Sequence, residues 1–314
     1  MRAVVTGCAG FIGSHLSERL LDSGWTISGM DSLAPTYDTT GRRRRIVELA
    51  NRPGFEFVEG DLNRIDLSHH VEEADVVFHL AARPGVRASW RDFAQVSDAN
   101  ILATQRVLDA LVESPETRMV FSSSSSVYGQ VSEFPVSEER PLAPISPYGV
   151  TKASCEALIS AYTSQFDLMV TSLRYFTVYG PRQRSDMAFT RWIRSAFLAE
   201  PIRVYGDGTA IRDFTYVADV VEATILSGVS DPGHRILNVA GGSPVTLNEV
   251  FELLAELSGK DLDLRYEERA LGDPRRTGGS TDRIEEALGW KAEWSLRDGL
   301  AAQIEWFRTE KGVG

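Results

Sequence analysis

Cysteine is scarce in this 314-residue chain: Cys8 and Cys155 are too few for a disulfide framework or a thiolate metal site. They read as two small buried thiols in a reducing cytoplasm. The five histidines are scattered and none has a ligand spacing such as H-E-x-x-H, so no catalytic metal is expected. No apolar run approaches the ~20 residues of a membrane span. The opening MRAVVTGCAGFIG goes straight into a strand-and-turn pattern, and no signal peptide is expected ahead of it. Positive charge is also short. With 33 Lys and Arg against 44 Asp and Glu, the net charge of −11 repels polyanions and argues against a nucleic-acid role. An anionic small molecule would need a local cluster of Arg. Internal repeats and low-complexity segments are absent.

What the chain does carry is an ordinary globular composition, 43% hydrophobic and 25% charged. Short apolar runs at Ala3–Thr6, Thr26–Met30, Phe55–Val58, Val76–Leu80, Met119–Ser122 and Met169–Arg174 suggest strands. Helix-length stretches such as Gly13–Asp22, Ala99–Val112 and Tyr148–Ser164 lie between them. Apolar runs without polar alternation suit strands buried on both faces of a parallel sheet. The βαβ rhythm predicts an α/β fold with a doubly wound parallel sheet. After about Tyr175 the texture changes, and VYGPRQRSDM and VYGDGTAIRDF put Pro, Gly and Arg in loop-like settings. Helical patterns return at Val217–Leu226, Leu247–Leu257, Thr281–Leu288 and Leu296–Phe307. The expected division is a cofactor domain at 1–176, to which 215–242 returns, and a smaller mixed C-terminal lobe at 177–214 and 243–314.

Gly7, Gly10 and Gly13 form G-x-x-G-x-x-G directly after the first strand and at the start of the first helix. Glycines let the backbone turn tightly and approach a pyrophosphate, and the helix N-terminus offers free N–H groups. A second strand ends at Asp31, 18 residues beyond Gly13, where a carboxylate can accept from the adenosine ribose hydroxyls. It would repel a 2′-phosphate, so NAD is expected rather than NADP. Arg42–Arg45 reads as the solvated start of a helix running to Ala50. Further on, SPYGVTK sets Tyr148 and Lys152 four residues apart on one helix face. A phenol with a pKa near 10 is a poor base at neutral pH, but a nearby ammonium favours its phenolate.

The glycine spacing, followed by Tyr-x-x-x-Lys, resembles the extended short-chain dehydrogenase/reductase family along nearly the whole chain. The resemblance implies a Rossmann-like domain with tightly bound NAD. It makes Ser124, in FSSSSSVYG, the catalytic partner of Tyr148 and Lys152. Cofactor contacts are then implied at Phe11, Ile12, Asp61, Leu62, Leu80, Ala81, Ala82, Asn100, Ser122 and Tyr175, with His79 structural. It also implies a homodimer formed through the helices at Ala99–Val112 and Tyr148–Ser164.

The reaction turns on the residues after Ser124. Sugar-nucleotide 4,6-dehydratases have an acidic pair here, and uronate decarboxylases a Glu just before VYG. This chain has Ser125 and Ser126. The simplest chemistry is reversible oxidation at sugar carbon 4, rotation of the 4-keto sugar and reduction on its other face. The segment RYFTVYGPRQRSDMAF resembles UDP-glucuronate 4-epimerases, whose substrate carries a carboxylate at carbon 6. That maps carboxylate recognition onto Ser125, Ser126, Thr177 and Arg184, an Arg being able to hold a carboxylate through two parallel bonds. At the nucleotide end the resemblance implies Tyr205 near the base, Arg212 on the pyrophosphate, and Arg269 and Asp273 on phosphate and ribose. Arg269 stands four residues before Asp273, where the family has three. Arg87 is a further candidate near the sugar. The alternatives are a UDP-glucose 4-epimerase, a 4,6-dehydratase or decarboxylase, and a non-catalytic NAD-sensing regulator.

Overall fold

The apolar run after Met1 forms β1 (Arg2–Thr6), four of whose five residues are buried. The chain then alternates through α1 (Phe11–Asp22), β2 (Thr26–Asp31), α2 (Thr39–Ala50), β3 (Phe55–Glu59), α3 (Ser68–Glu72) and β4 (Val76–His79). After these come α4 (Phe93–Ser97), α5 (Ala103–Glu113), β5 (Arg118–Ser124), α6 (Pro147–Phe166) and β6 (Val170–Tyr175). Shorter elements follow: β7 (Val178–Tyr179), α7 (Ala188–Leu198), β8 (Ile202–Tyr205), β9 (Ile211–Arg212) and β10 (Thr215–Tyr216). The last are α8 (Val217–Val229), β11 (Arg235–Val239), β12 (Val245–Thr246), α9 (Leu247–Ser258), β13 (Leu264–Glu267), α10 (Asp282–Leu288) and α11 (Leu296–Lys311). This computed structural model describes residues 1–35, 39–230, 235–268 and 275–312.

Seven strands pair in the order β3-β2-β1-β4-β5-β6-β11, and every pairing is parallel. This is the doubly wound, Rossmann-like α/β sheet that the apolar runs predict. The chain changes direction across the sheet between β1 and β4, which opens a crevice beyond their C-terminal ends. On one face α1 and α8 bury Leu16, Leu20, Val220 and Ala223 against Val5 and Phe78. On the other, α5 and α6 bury Val107, Leu108, Leu111 and Ile159 against Val4, Val77 and Phe121. Each fully buried aliphatic or aromatic side chain is worth roughly 1.5–3 kcal/mol. The first cluster continues into the smaller lobe. There Phe189 lies 4.9 Å from the Tyr179 ring and 4.8 Å from that of Phe214, while Trp192 stands 4.9 Å from Phe251. Cys8 and Cys155 are both free and buried. No described helix is long and apolar enough to cross a membrane.

Two local readings need correction. The helix expected over Ala99–Val112 is broken: Asp98–Leu102 winds as a π turn between α4 and α5. Such a turn re-aims a side chain, here Asn100, which is buried. Its Oδ1 accepts from the Arg83 N–H at 2.7 Å and its Nδ2 donates to Thr151 Oγ1 at 2.9 Å. Arg42–Arg45 is not a solvated helix start either. Because α2 begins at Thr39, Arg42 and Arg45 fall three apart on its inward face. Arg42 pairs with Asp31, and the buried Arg45 donates from Nε to the Ala9 carbonyl at 3.0 Å. Arg43 and Arg44 are the exposed pair.

Candidate active site

The β1–α1 turn is glycine-rich because side chains would not fit. Gly7 has φ +74°, and a Cβ on it would lie 2.9 Å from the Ala81 nitrogen. A Cβ on Gly13 would lie 2.2 Å from the Gly7 carbonyl oxygen. The helix can therefore start hard against the sheet. At its start, Gly10 supplies no side-chain cap and the first turn holds no acidic residue. Its N–H groups and positive dipole end are left for an anion. At the end of β2, Asp31 is held by three donors. Its Oδ2 accepts from the Ala9 N–H at 3.1 Å, and its Oδ1 from the Leu33 N–H at 2.9 Å and from Arg42. This cradle, with a fixed carboxylate at its far end, fits a dinucleotide.

From it runs a cleft of about 950 Å³. Gly7, Gly10, Phe11, Ile12, Gly13 and Asp31 line one end, with Asp61, Leu62, Leu80, Ala81 and Ala82 from the loops after β3 and β4. Ser122, Ser124, Ser125, Ser126, Tyr148, Lys152, Tyr175, Thr177 and Arg184 also line it. Helix α6 opens on Ser146, whose Oγ accepts from the Gly149 N–H at 3.1 Å, with Pro147 in the first turn. Both are helix-start signals. Gly149 is tightly enclosed, since a Cβ there would meet the Ser126 carbonyl oxygen at 2.6 Å. The start of α6 thus packs directly on the serine loop. Lys152, one turn beyond Tyr148, is buried and donates from Nζ to the Ser122 carbonyl at 2.7 Å. Burial brings its pKa down to about 8, although Cys155 and Glu156 nearby favour its charge. Ser124 Oγ accepts from the Ser126 N–H at 3.2 Å. His79 is locked between Thr6 Oγ1 at 2.8 Å and Thr104 Oγ1 at 3.1 Å. Burial first, then the Lys152 charge, lowers its pKa to about 3, so it stays neutral as a structural bridge.

Arg184 also lines the cleft. Its guanidinium donates from Nε and Nη2 to the two oxygens of Asp186, at 3.0 and 2.8 Å. Burial raises the Asp186 pKa, but the Arg184 bonds and charge outweigh it and hold the carboxyl below its usual range. Asn100 stands behind the wall, bonded to Arg83 and Thr151. Three substrate candidates lie away from the cleft lining. The Arg87 guanidinium stacks 4.9 Å from the Tyr205 ring centre. The buried Arg212 donates to the Ile211 carbonyl at 2.9 Å and the Arg275 carbonyl at 3.5 Å. Arg269 and Asp273 lie outside the described residues. Sequence reasoning passed over two cations in the lining, Arg42 and Arg83. The first was signalled by its three-residue spacing from Arg45. Nothing in RPGVRASW separates Arg83 from Arg87.

Residues 3–240 match the model of the NAD dependent epimerase/dehydratase family. The chain belongs to that family. Among its relatives is the UDP-glucuronate 4-epimerase of Thermodesulfobacterium geofontis, 35% identical over 96% of this chain and 95% of that protein. The uncharacterized UDP-glucose epimerase YtcB of Bacillus subtilis is 38% identical over 97% of each. Among solved structures, the UDP-glucuronic acid 4-epimerase of Bacillus cereus, in complex with UDP-glucuronic acid and NAD, superposes with a TM-score of 0.94. It is 37% identical over 99% of this chain and 100% of that one.

Proposed function

We propose that the protein is an NAD-dependent UDP-glucuronate 4-epimerase that interconverts UDP-glucuronate and UDP-galacturonate. The observation that carries this reading is one cleft, whose lining brings Tyr148 and Lys152 together with Ser124–Ser126, Thr177 and Arg184. Bound NAD supplies a reversible hydride acceptor for sugar carbon 4. Tyr148 takes the proton of the 4-hydroxyl as it is oxidised and returns it after the 4-keto ring has turned over. Lys152 keeps the phenolate favourable, and Ser124 bonds the reacting oxygen. A 4-keto uronate loses CO₂ when its carboxylate bond lies perpendicular to the ketone plane. Ser125, Ser126, Thr177 and Arg184 hold the carboxylate away from that alignment, with no protein carboxylate at 125 or 126 to repel it.

The segments 1–176 and 215–242 serve NAD, and 177–214 with 243–314 serve the nucleotide-sugar. Tyr205 serves the base and Arg212 the pyrophosphate, Arg269 and Asp273 serve phosphate and ribose, and Arg87 serves the sugar. Two copies pair through the helices at Ala99–Val112 and Tyr148–Ser164, which expose Leu102 and Val150. The free, buried cysteines suit a reducing cytoplasm.

A second reading, a UDP-glucose 4-epimerase, is favoured by one contact: Asp186 already fills the Arg184 fork. The two are separated by kcat/KM for UDP-glucuronate and UDP-glucose in the wild type and in Arg184→Met. Loss of a charge-assisted pair, about 2–3 kcal/mol, predicts a fall of about a hundredfold for the uronate alone. An equal change for both sugars would favour the neutral substrate.

A further inference from the structure

Beneath the cleft lies a buried polar network that the chemistry above does not use. Tyr148, Lys152 and Glu156 follow one another at four-residue intervals on α6, so they share a face. Lys152 and Glu156 are both buried. Glu156 pairs with Arg174 on β6, Oε1 accepting from Nε at 3.0 Å and Oε2 from Nη2 at 2.6 Å. Both side chains are 3% exposed. Ser123, register partner of Arg174 across β5 and β6, donates its hydroxyl to the same Glu156 Oε1. The remaining arm of Arg174 donates to Tyr128 Oη at 2.8 Å and to the Glu138 carbonyl at 3.2 Å. Tyr128 in turn donates to Asn238 Oδ1 on β11 at 2.7 Å.

The arrangement brackets Ser124. On one side the strand is tied to α6 twice, by Lys152 to the Ser122 carbonyl and by Ser123 to Glu156. On the other, the turn after Ser124 is tied to Arg174 through Tyr128. A buried ion pair of this kind is weak evidence for stability, because desolvation offsets its attraction. Its geometry is better suited to fixing register.

We propose that Glu156 is a positioning residue, which acts through Arg174 and Ser123 to hold the Ser124 strand end against the helix carrying Tyr148 and Lys152. The proposal rests on the catalytic roles given above to those three residues. Its second effect is electrostatic. The groups facing Lys152 are Tyr148, Cys155 and Glu156 on its own helix, His79 on β4 and, beyond Glu156, Arg174 on β6. His79 is neutral and the Cys155 thiol is pushed up chiefly by burial, so Glu156 is the carboxylate among them, beside the Tyr148 phenolate of the proposed mechanism. Removing it exposes Lys152 to an unpaired Arg174.

The test compares Glu156→Gln and Ser123→Ala with the wild-type holoenzyme, using UDP-glucuronate with UDP-glucose beside it. A wild type inert towards both would sink the functional reading before the variants are considered. Glu156→Gln should lower kcat by about tenfold to a hundredfold, the scale of a small misplacement, with KM changed less. NMR titration of lysine ε-carbons, with Lys152 to be told from Lys260, Lys291 and Lys311, should show Lys152 deprotonating at lower pH. Ser123→Ala keeps the ion pair, so it should lower kcat severalfold without moving that titration. A folded Glu156→Gln with a lower Tm but wild-type kcat and Lys152 titration would overturn the proposal. Should that variant not fold, wild-type kcat in Ser123→Ala would overturn it equally.

Discussion

Lys152 places an ammonium in a buried site, where its proton is lost near pH 8 rather than above 10. Burial is the main cause, and it disfavours the charged form. Below about pH 8 the cation is present and, in the proposed mechanism, supports the Tyr148 phenolate. As pH rises through that value the support disappears, so kcat should fall along an alkaline limb centred near 8. Lys152→Met should lose most activity and also lose that limb; an unchanged limb in the variant would assign it to another group. In the proposed mechanism, Tyr148→Phe removes the proton carrier itself. Its kcat should drop by about a thousandfold, within the range of general acid–base catalysis, while calorimetry shows UDP-sugar still binding. At Arg184, the Asp186 carboxylate occupies the two bonds that a substrate carboxylate would need. Asp186→Asn frees the fork and should lower KM for UDP-glucuronate severalfold without altering that for UDP-glucose. A higher KM would mean that Asp186 instead aims Arg184 at the substrate.

The β1–α1 turn works only while its glycines stay bare. A methyl on Gly13 would fall 2.2 Å from the Gly7 carbonyl oxygen, and that oxygen belongs to backbone that cannot swing aside. Gly13→Ala should cost about 1–3 kcal/mol, as overpacking does, and the purified variant should carry less nicotinamide cofactor than the wild type. This turn and the sheet were readable from sequence because each is a local pattern: an unbroken apolar run, a glycine spacing, an acid at a strand end. What was not readable depends on partners distant in sequence. The π turn at Asp98–Leu102 keeps helical composition and shows itself only through the bonds of Asn100 to Arg83 and Thr151. Arg42 and Arg45 look solvated in a run of four arginines, yet the Asp31 carboxylate and the Ala9 carbonyl draw two of them inward. Ser123, Glu156 and Arg174 carry no motif of their own, and meet only when β5, β6 and α6 are packed together.

At the scale of the molecule, the aromatic cluster around Tyr179, Phe189 and Phe214 belongs to the same core as α1 and α8. The loops on either side of β7, which bear Thr177 and Arg184, are therefore anchored to the framework that carries the glycine turn. Arg182 adds a tie, its Nη2 lying 2.8 Å from Glu18 on α1. On the proposed function, this common framework lets one overall negative molecule, net charge −11, accept an anionic sugar at a few fixed cations and hydroxyls. The measurement that tests the account most directly is incubation of the purified protein with UDP-glucuronate, without added NAD. Products are separated by chromatography and released CO₂ is trapped. The expected outcome is UDP-galacturonate and no CO₂. A UDP-pentose with stoichiometric CO₂, or turnover of UDP-glucose with the uronate left untouched, would contradict it.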